Sequence, residues 1–305
     1  MGELAPLVAM SAPFPGVSAV LQHGEALGLW RFIRLDVPRT LDFPRGSTVI
    51  LGAWAQGYGQ LVDALLLQGC RGGVLWTSRV GEMGFESSEV RAFAQLLQDQ
   101  RISFIWCGDP VLGGVKLGSG KAFFAPYPVQ VEDLRNRSVP KTDSMTLFCP
   151  ATLKKNLPNQ LMAASLLQGR LGLQLHTNVP QDPAWQAIAP IKATWYSWLP
   201  QEQYDQVLLR SRLNWAVSYA ETFNYQAAEA IMRGVPCVAS PTIPFLSRGG
   251  LSIVRDVNDA FEIAKVAEAI VADSEAVDLQ LELLQDYAMW ANAQLKQALR
   301  QRGLC

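Results

Sequence analysis

Histidine and closely spaced cysteine are what this 305-residue sequence has least of. There are two histidines, His23 and His176, and five cysteines, at positions 70, 107, 149, 237 and 305, none near another. A structural zinc site needs four nitrogen or sulfur ligands at short spacings, so this composition argues against one. The odd count and wide spacing of the cysteines, several within apolar runs such as "FIWCG" and "TLFCP", point to buried thiols in a reducing compartment rather than to disulfides. An excess of one charge is also missing: 26 basic residues face 27 acidic ones, and no polybasic tract offers itself to nucleic acid or to an anionic membrane surface. No apolar run reaches the roughly 18 residues of a membrane span, and "MGELAPLVAM" lacks a basic leader before a long apolar core. The expectation is a soluble, cytoplasmic protein.

What is present is apolar residue in quantity, 49 % of the chain, arranged in short runs that alternate with helical patterns. The length allows two domains of about 150 residues. Strands are expected at 6–11, 31–37, 47–53, 72–78, 102–108 and 122–128, with helices such as "GQLVDALLLQG" and "ESSEVRAFAQLLQDQ" between them. Residues 129–143, polar and containing Pro140, interrupt the rhythm and read as a linker. A second series follows: strands at 145–150, 173–178, 213–219 and 236–240, strand-like "IKATWYSWL", and helices "NLPNQLMAASLLQGRLG", "PQEQYDQVLLRSR" and "NYQAAEAIMRG". The chain ends in a long amphipathic helix with Leu281, Leu284, Tyr287 and Leu295 near one face. The fold class expected is α/β, with two Rossmann-like domains facing a cleft, over 1–135 and over 144–305 with the terminal helix.

Two glycine-rich stretches fail as phosphate loops. In "GGVKLGSGKA" (113–122) the first glycine is out of register, Ala122 stands where Ser or Thr is required, and a strand follows, so a solvated turn is the better account. "GAWAQGYGQ" (52–60) lacks the third glycine of a dinucleotide fingerprint, although its place after a strand would admit a ligand. Lys154 and Lys155 are better placed, between a strand and a helix, where an ammonium can sit over an anion at the helix N-terminus. Glu221 and Glu229 raise a question of spacing. On one helix they would lie about 80° and about 12 Å apart, too far to share a proton or a metal ion. A helix starting near Tyr225 resolves this by leaving Glu221 in a loop, with Glu229 at the other end of a bound ligand. A carboxylate there suits vicinal hydroxyls, since it accepts two hydrogen bonds.

The stretch "ETFNYQAAEAIMRGVPCVAS" (221–240) resembles the sugar-nucleotide-binding segment of retaining glycosyltransferases of the GT-B fold, with matches at Glu221, Phe223, Glu229, Ala230, Gly234, Pro236, Val238, Ala239 and Ser240. Thr222 and Asn224 depart from it by replacing glycines. "LFCPATLKKN" is similar to the segment in which an Arg and a Lys bind the diphosphate; Lys155 falls on the Lys, while Pro150 replaces the Arg and leaves Lys154 as the nearest substitute. The likeness spans about residues 145 to 245. It implies a nucleotide diphosphate sugar as co-substrate, no cofactor, and a donor site of Lys154, Lys155, Thr222, Phe223, Asn224, Tyr225 and Glu229, with Glu221, against the transferred sugar, as a candidate catalytic residue.

The same resemblance implies that the first half binds the acceptor. Pro15 and Gly16 then border the cleft, and His23 is a candidate catalytic residue near the acceptor hydroxyl. No Asp-x-Asp occurs, in keeping with metal-independent transfer. The acceptor stays open among a glycan, a lipid-linked precursor, a protein and a modified DNA base. A nucleotide-sugar epimerase of the same fold and a non-catalytic sugar-nucleotide-binding protein are the alternatives.

Overall fold

The computed structural model describes residues 7–12, 15–35, 42–52, 58–83, 87–114, 120–135, 139–179, 182–197, 199–247, 250 and 253–304. The chain forms two compact units, one of residues 1–130 with 288–305 and one of 131–287. Sequence alone assigned the whole terminal helix to the second domain; its last turns belong with the first.

In the first unit, strands β1 (Leu7–Ser11), β2 (Arg31–Arg34), β3 (Thr48–Gly52), β4 (Arg71–Trp76), β5 (Phe104–Cys107) and β6 (Ala122–Phe124) form one sheet in the order β2-β1-β3-β4-β5-β6. Every pairing in it is parallel. The connecting helices are α1 (Pro15–Ala26), α2 (Tyr58–Leu67), α3 (Val80–Met83), α4 (Ser87–Gln98) and α5 (Pro110–Gly113). All five residues of β1 and of β3 are buried, as a parallel sheet covered on both faces requires. At their carboxyl ends the Tyr58 hydroxyl donates to the Gly52 carbonyl (2.9 Å) and accepts from the Ala12 amide (3.3 Å), tying the two exits together.

Lys121 departs from expectation. It is not a solvated turn residue but is 7 % exposed, and its ammonium donates to the Asp99 carbonyl at 2.6 Å. Residues 115–119 of that turn and 53–57 of the other glycine-rich stretch lie outside the described residues.

In the second unit, β7 (Ser144–Leu147), β8 (Gln174–Thr177), β9 (Ala193–Trp195), β10 (Leu213–Ala216) and β11 (Cys237–Ala239) form a second parallel sheet in the order β11-β10-β7-β8-β9. Its helices are α6 (Leu157–Leu171), α7 (Pro183–Ile188), α8 (Gln201–Arg210), α9 (Tyr225–Met232) and α10 (Ala260–Ala272), and α11 (Ala276–Gln301) closes the chain. Glycine stops two of these helices where φ must be positive: Gly172 after α6 (φ 71°) and Gly234 after α9 (φ 73°).

The core of this unit joins Met145 and Leu147 of β7 and Leu213 and Trp215 of β10 to Leu161 of α6 and Ile263 of α10. Polar side chains are buried beside this core. Asn214 is fully buried, and its Oδ1 accepts from Thr146 Oγ1 (3.0 Å) and Gln226 Nε2 (2.6 Å). The edge strand β11 is finished by Gln280 of α11, whose amide exchanges two 2.8 Å hydrogen bonds with the Cys237 backbone and so stands in for a further strand. Leu281, Leu284 and Leu295 of α11 are buried, as their spacing predicted.

Candidate functional site

Reading from β7, the second sheet has the strand order 3-2-1-4-5, and its direction of winding reverses between β7 and β10. Where it reverses, the segments leaving the carboxyl ends of the two strands run to opposite faces, which opens the crevice in which doubly wound sheets bind ligands. The segment after β7 carries Lys154 and Lys155, and the segment after β10 carries Glu221 to Asn224. The two places picked out in the sequence therefore meet at the switch point of this sheet.

Lys155 ends a short 3-10 turn, Leu153–Lys155, and the following Asn156 turns the chain into α6 with φ 51° and ψ 39°. The Lys155 ammonium forms an ion pair with Glu221 Oε1, with 16 % and 6 % of their side chains exposed. The same oxygen accepts from Ser218 Oγ (2.9 Å) and Asn224 Nδ2 (3.1 Å). Burying two charges costs several kcal/mol per ion unless the pair is well hydrogen-bonded. Three donors on one carboxylate oxygen meet that condition and fix where the carboxylate points.

Asn224, one of two residues that depart from the glycosyltransferase pattern, does two jobs here. It is the N-cap of α9, its Oδ1 accepting from the Ala227 amide at 2.9 Å, while its Nδ2 holds Glu221. The helix starts at Tyr225, so Glu221 lies in the loop and Glu229 in the helix, as the spacing argument required.

Glu229 is half-buried, and its Oε2 accepts from the Tyr204 hydroxyl at 2.9 Å. Burial raises its pKa above the usual carboxylate value, against the lowering effects of the Tyr204 hydrogen bond and the Arg233 charge. Burial beside that carboxylate pushes the Tyr204 phenol well up in turn, so it remains a donor. Arg233 also donates to the Glu229 carbonyl (3.0 Å) and pairs with Asp205 (2.8 Å), and Phe148 meets Tyr204 edge-on with ring centroids 5.4 Å apart. Cys149, beside the site at the exit of β7, is held as a thiol by burial, which pushes its pKa up to about 12.

The remaining predicted residues are placed differently. Phe223 and Tyr225 are buried with their rings in a cluster: Phe223 is 4.6 Å from Tyr225, 5.0 Å from Phe245 and 5.5 Å from Tyr287. Their rings thus support the loop. Thr222 is buried, and Lys154 accepts the Tyr219 amide on its carbonyl at 2.9 Å.

In the first unit, Pro15 and Gly16 form the first turn of α1, and among the described residues a Cβ on Gly16 would meet no atom within 4 Å. His23 lies in the last turn of α1. Its Nδ1 accepts from the Gln130 amide at 3.0 Å, and burial lowers its pKa to about 4. The neutral ring therefore carries its proton on Nε2 and has no lone pair left with which to act as a base.

Sequence reasoning passed over Ser218, Tyr204 and Arg233. Ser218 stands three residues before Glu221, a spacing at which a hydroxyl reaches forward across a turn, and Arg233 stands four residues after Glu229 at the end of the same helix, where side chains are neighbours; Tyr204 meets Glu229 only through the tertiary fold. Elsewhere in the unit, at the amino ends of β7 and β8, Thr142, Ser144, Gln174, His176, Gln206 and Arg210 line a groove of about 380 Å³ on the edge opposite the site. Among the described residues no group of three His, Cys, Asp or Glu side chains is placed to hold a metal ion, and no helix is long and apolar enough to cross a membrane.

No family model and no curated protein matches the sequence. Solved structures do match its fold. An E. coli trehalose-6-phosphate protein bound with UDP-2-fluoro glucose superposes with a TM-score of 0.64 at 11 % identity, covering 99 % of both chains. The α,α-trehalose-phosphate synthase (UDP-forming) of Burkholderia vietnamiensis gives 0.64 at 10 % identity, over 97 % of this chain and 100 % of that one. A mutant of S. aureus TarM, in complex with Fondaparinux, alpha-GlcNAc-glycerol and UDP, gives 0.59 at 12 % identity, over 84 % of this chain and 55 % of that one. At such identities the likeness is one of fold. The two parallel sheets with their helices have the GT-B architecture.

Proposed function

We propose that the chain is a glycosyltransferase that moves a sugar from a nucleotide diphosphate sugar to an acceptor hydroxyl, without a metal ion and with retention of configuration. Fold alone does not assign a reaction. The observation that carries the reading is the meeting of Lys155 and Glu221 at the switch point, with Glu229 on the helix that begins beside them. The three UDP-related structures of the same fold supply the class of co-substrate.

In this reading the nucleoside lies along α9, with its ribose hydroxyls on Glu229. The diphosphate takes the Lys155 ammonium and the N-terminal amides of α9. Glu221, kept in place by Ser218 and Asn224, accepts from the hydroxyls of the transferred sugar. The bond between the anomeric carbon and the diphosphate oxygen breaks as the acceptor oxygen bonds to that carbon, and the acceptor proton passes to the departing diphosphate. Lys155 stabilises the charge that develops there, the kind of preorganised electrostatic assistance that contributes most to such transfers.

The test is a panel of UDP-, GDP-, ADP- and TDP-sugars, screened first for thermal stabilisation and then for acceptor-dependent release of the diphosphate. One donor is expected to stabilise the protein, and Lys155→Ala to abolish release. Absence of stabilisation by any of them sinks the proposal. Stabilisation without turnover on any acceptor points instead to a binding protein, and diphosphate release needing no acceptor to an epimerase.

A further inference from the structure

Gln160, in the first turn of α6 and 2 % exposed, is a buried amide at the candidate site to which neither the spacing of the glutamates nor the lysine loop assigns a part. Its Nε2 donates to the Lys155 carbonyl at 2.6 Å, and its Oε1 accepts from the Val217 amide at 2.9 Å. One partner can only accept and the other only donate, so a single orientation of the amide satisfies both. The location explains the need. Hydrogen-bonded pairing of β7 with β10 runs through Met145↔Leu213 and Thr146↔Asn214. Beyond it the two segments part, and Gln160 joins them as a piece of backbone would.

One of its partners is Lys155 itself. The other leads into Ser218, whose hydroxyl holds Glu221. Further hydrogen bonds brace the same junction: the Tyr219 amide on the Lys154 carbonyl (2.9 Å), the Tyr219 hydroxyl on Asn258 Oδ1 (3.0 Å), and the Nδ2 of buried Asn156 on the Val257 carbonyl (2.6 Å). We propose that Gln160 is a positioning residue that sets the separation of the Lys155 ammonium and the Glu221 carboxylate, and through it the fit of the diphosphate and sugar end of the donor. The proposal rests on the function given above and adds to it a residue that touches no ligand.

Gln160→Met keeps the length of the side chain and removes both hydrogen bonds. The probes are whichever of UDP, GDP, ADP and TDP the wild type binds, and the parent nucleoside of that nucleotide. The variant is expected to bind the diphosphate about tenfold more weakly, the usual scale for losing a buried hydrogen bond, while nucleoside binding is unchanged. Amide exchange over 217–221 should quicken, and that over 225–232 should not. Unchanged diphosphate affinity, or an equal loss for nucleoside and diphosphate, overturns the proposal and leaves the assigned function standing. If the wild type binds no nucleotide, that function fails instead. In that case, or if the variant does not fold, exchange of the Gln160 side-chain amide protons in the wild type decides: retarded exchange supports the clamp, and exchange as fast as in an exposed glutamine overturns it.

Discussion

Glu229 and Tyr204 are separated by 25 residues yet form one unit, since the phenol donates to a carboxylate that burial has moved toward the neutral form. A ribose hydroxyl is recognised best by the ionised group, and the Tyr204 hydrogen bond favours that form. Glu229→Ala is therefore expected to weaken nucleotide binding by about 1.5–3 kcal/mol, the scale of a hydrogen bond to a charged group. Tyr204→Phe should cost less at neutral pH, about 1 kcal/mol, and its deficit should widen as the pH falls and the unassisted carboxylate takes up a proton. Calorimetric titrations of both variants at two pH values check this; a Tyr204→Phe deficit that ignores pH would leave the phenol a packing role only. Glu229 was legible in the sequence as a candidate because it lies eight residues after Glu221, in the stretch that resembles the glycosyltransferase segment. The phenol was not, because no periodicity within α8 marks which residue will face another helix.

At the scale of elements, the border between loop and helix at Asn224 was readable for a local reason: an asparagine followed by a helical apolar pattern satisfies the first free amides. Helix α10 carries the same kind of signal, Asp259 capping Phe261 and Glu262 with Glu262 in turn accepting from the Arg255 and Asp256 amides. What no local pattern shows is that the Asn224 cap also holds Glu221. The two roles can be separated. Asn224→Ala loses both and should lower stability by about 1 kcal/mol together with turnover. Asn224→Asp keeps an oxygen for the Ala227 amide but sets a second carboxylate against Glu221, so the cap is retained while the repulsion between the two carboxylates lowers turnover and makes the loss of stability grow as the pH rises. Urea unfolding and initial rates for the two variants measure the difference, and equal turnover in Asn224→Asp and wild type would detach the cap from the site.

For the whole molecule, the alternation of strand and helix revealed two parallel sheets, because chain direction and crossover length are written locally. The order of strands within each sheet was not written there, and neither was the place of residues 288–305 in the first unit, since both depend on contacts between segments far apart in sequence. His23 shows how such a contact changes the reading of a residue. By sequence it was a helical histidine near a cleft; in the fold its Nδ1 takes the amide of Gln130, 107 residues away. Protonating Nδ1 would set two donors against each other, and burial opposes the charge as well, so the folded pKa is about 4 against an unfolded value near 6.5. Between these values the unfolded chain binds the extra proton and the folded one does not, so stability rises with pH across the window. The contribution is complete above pH about 6.5 and is lost as the pH falls toward about 4. His23→Gln offers Gln130 an acceptor that does not titrate, and urea midpoints at pH 7 and pH 5 should differ less for this variant than for the wild type. An equal pH dependence in the two proteins would move the origin of acid sensitivity elsewhere in the fold.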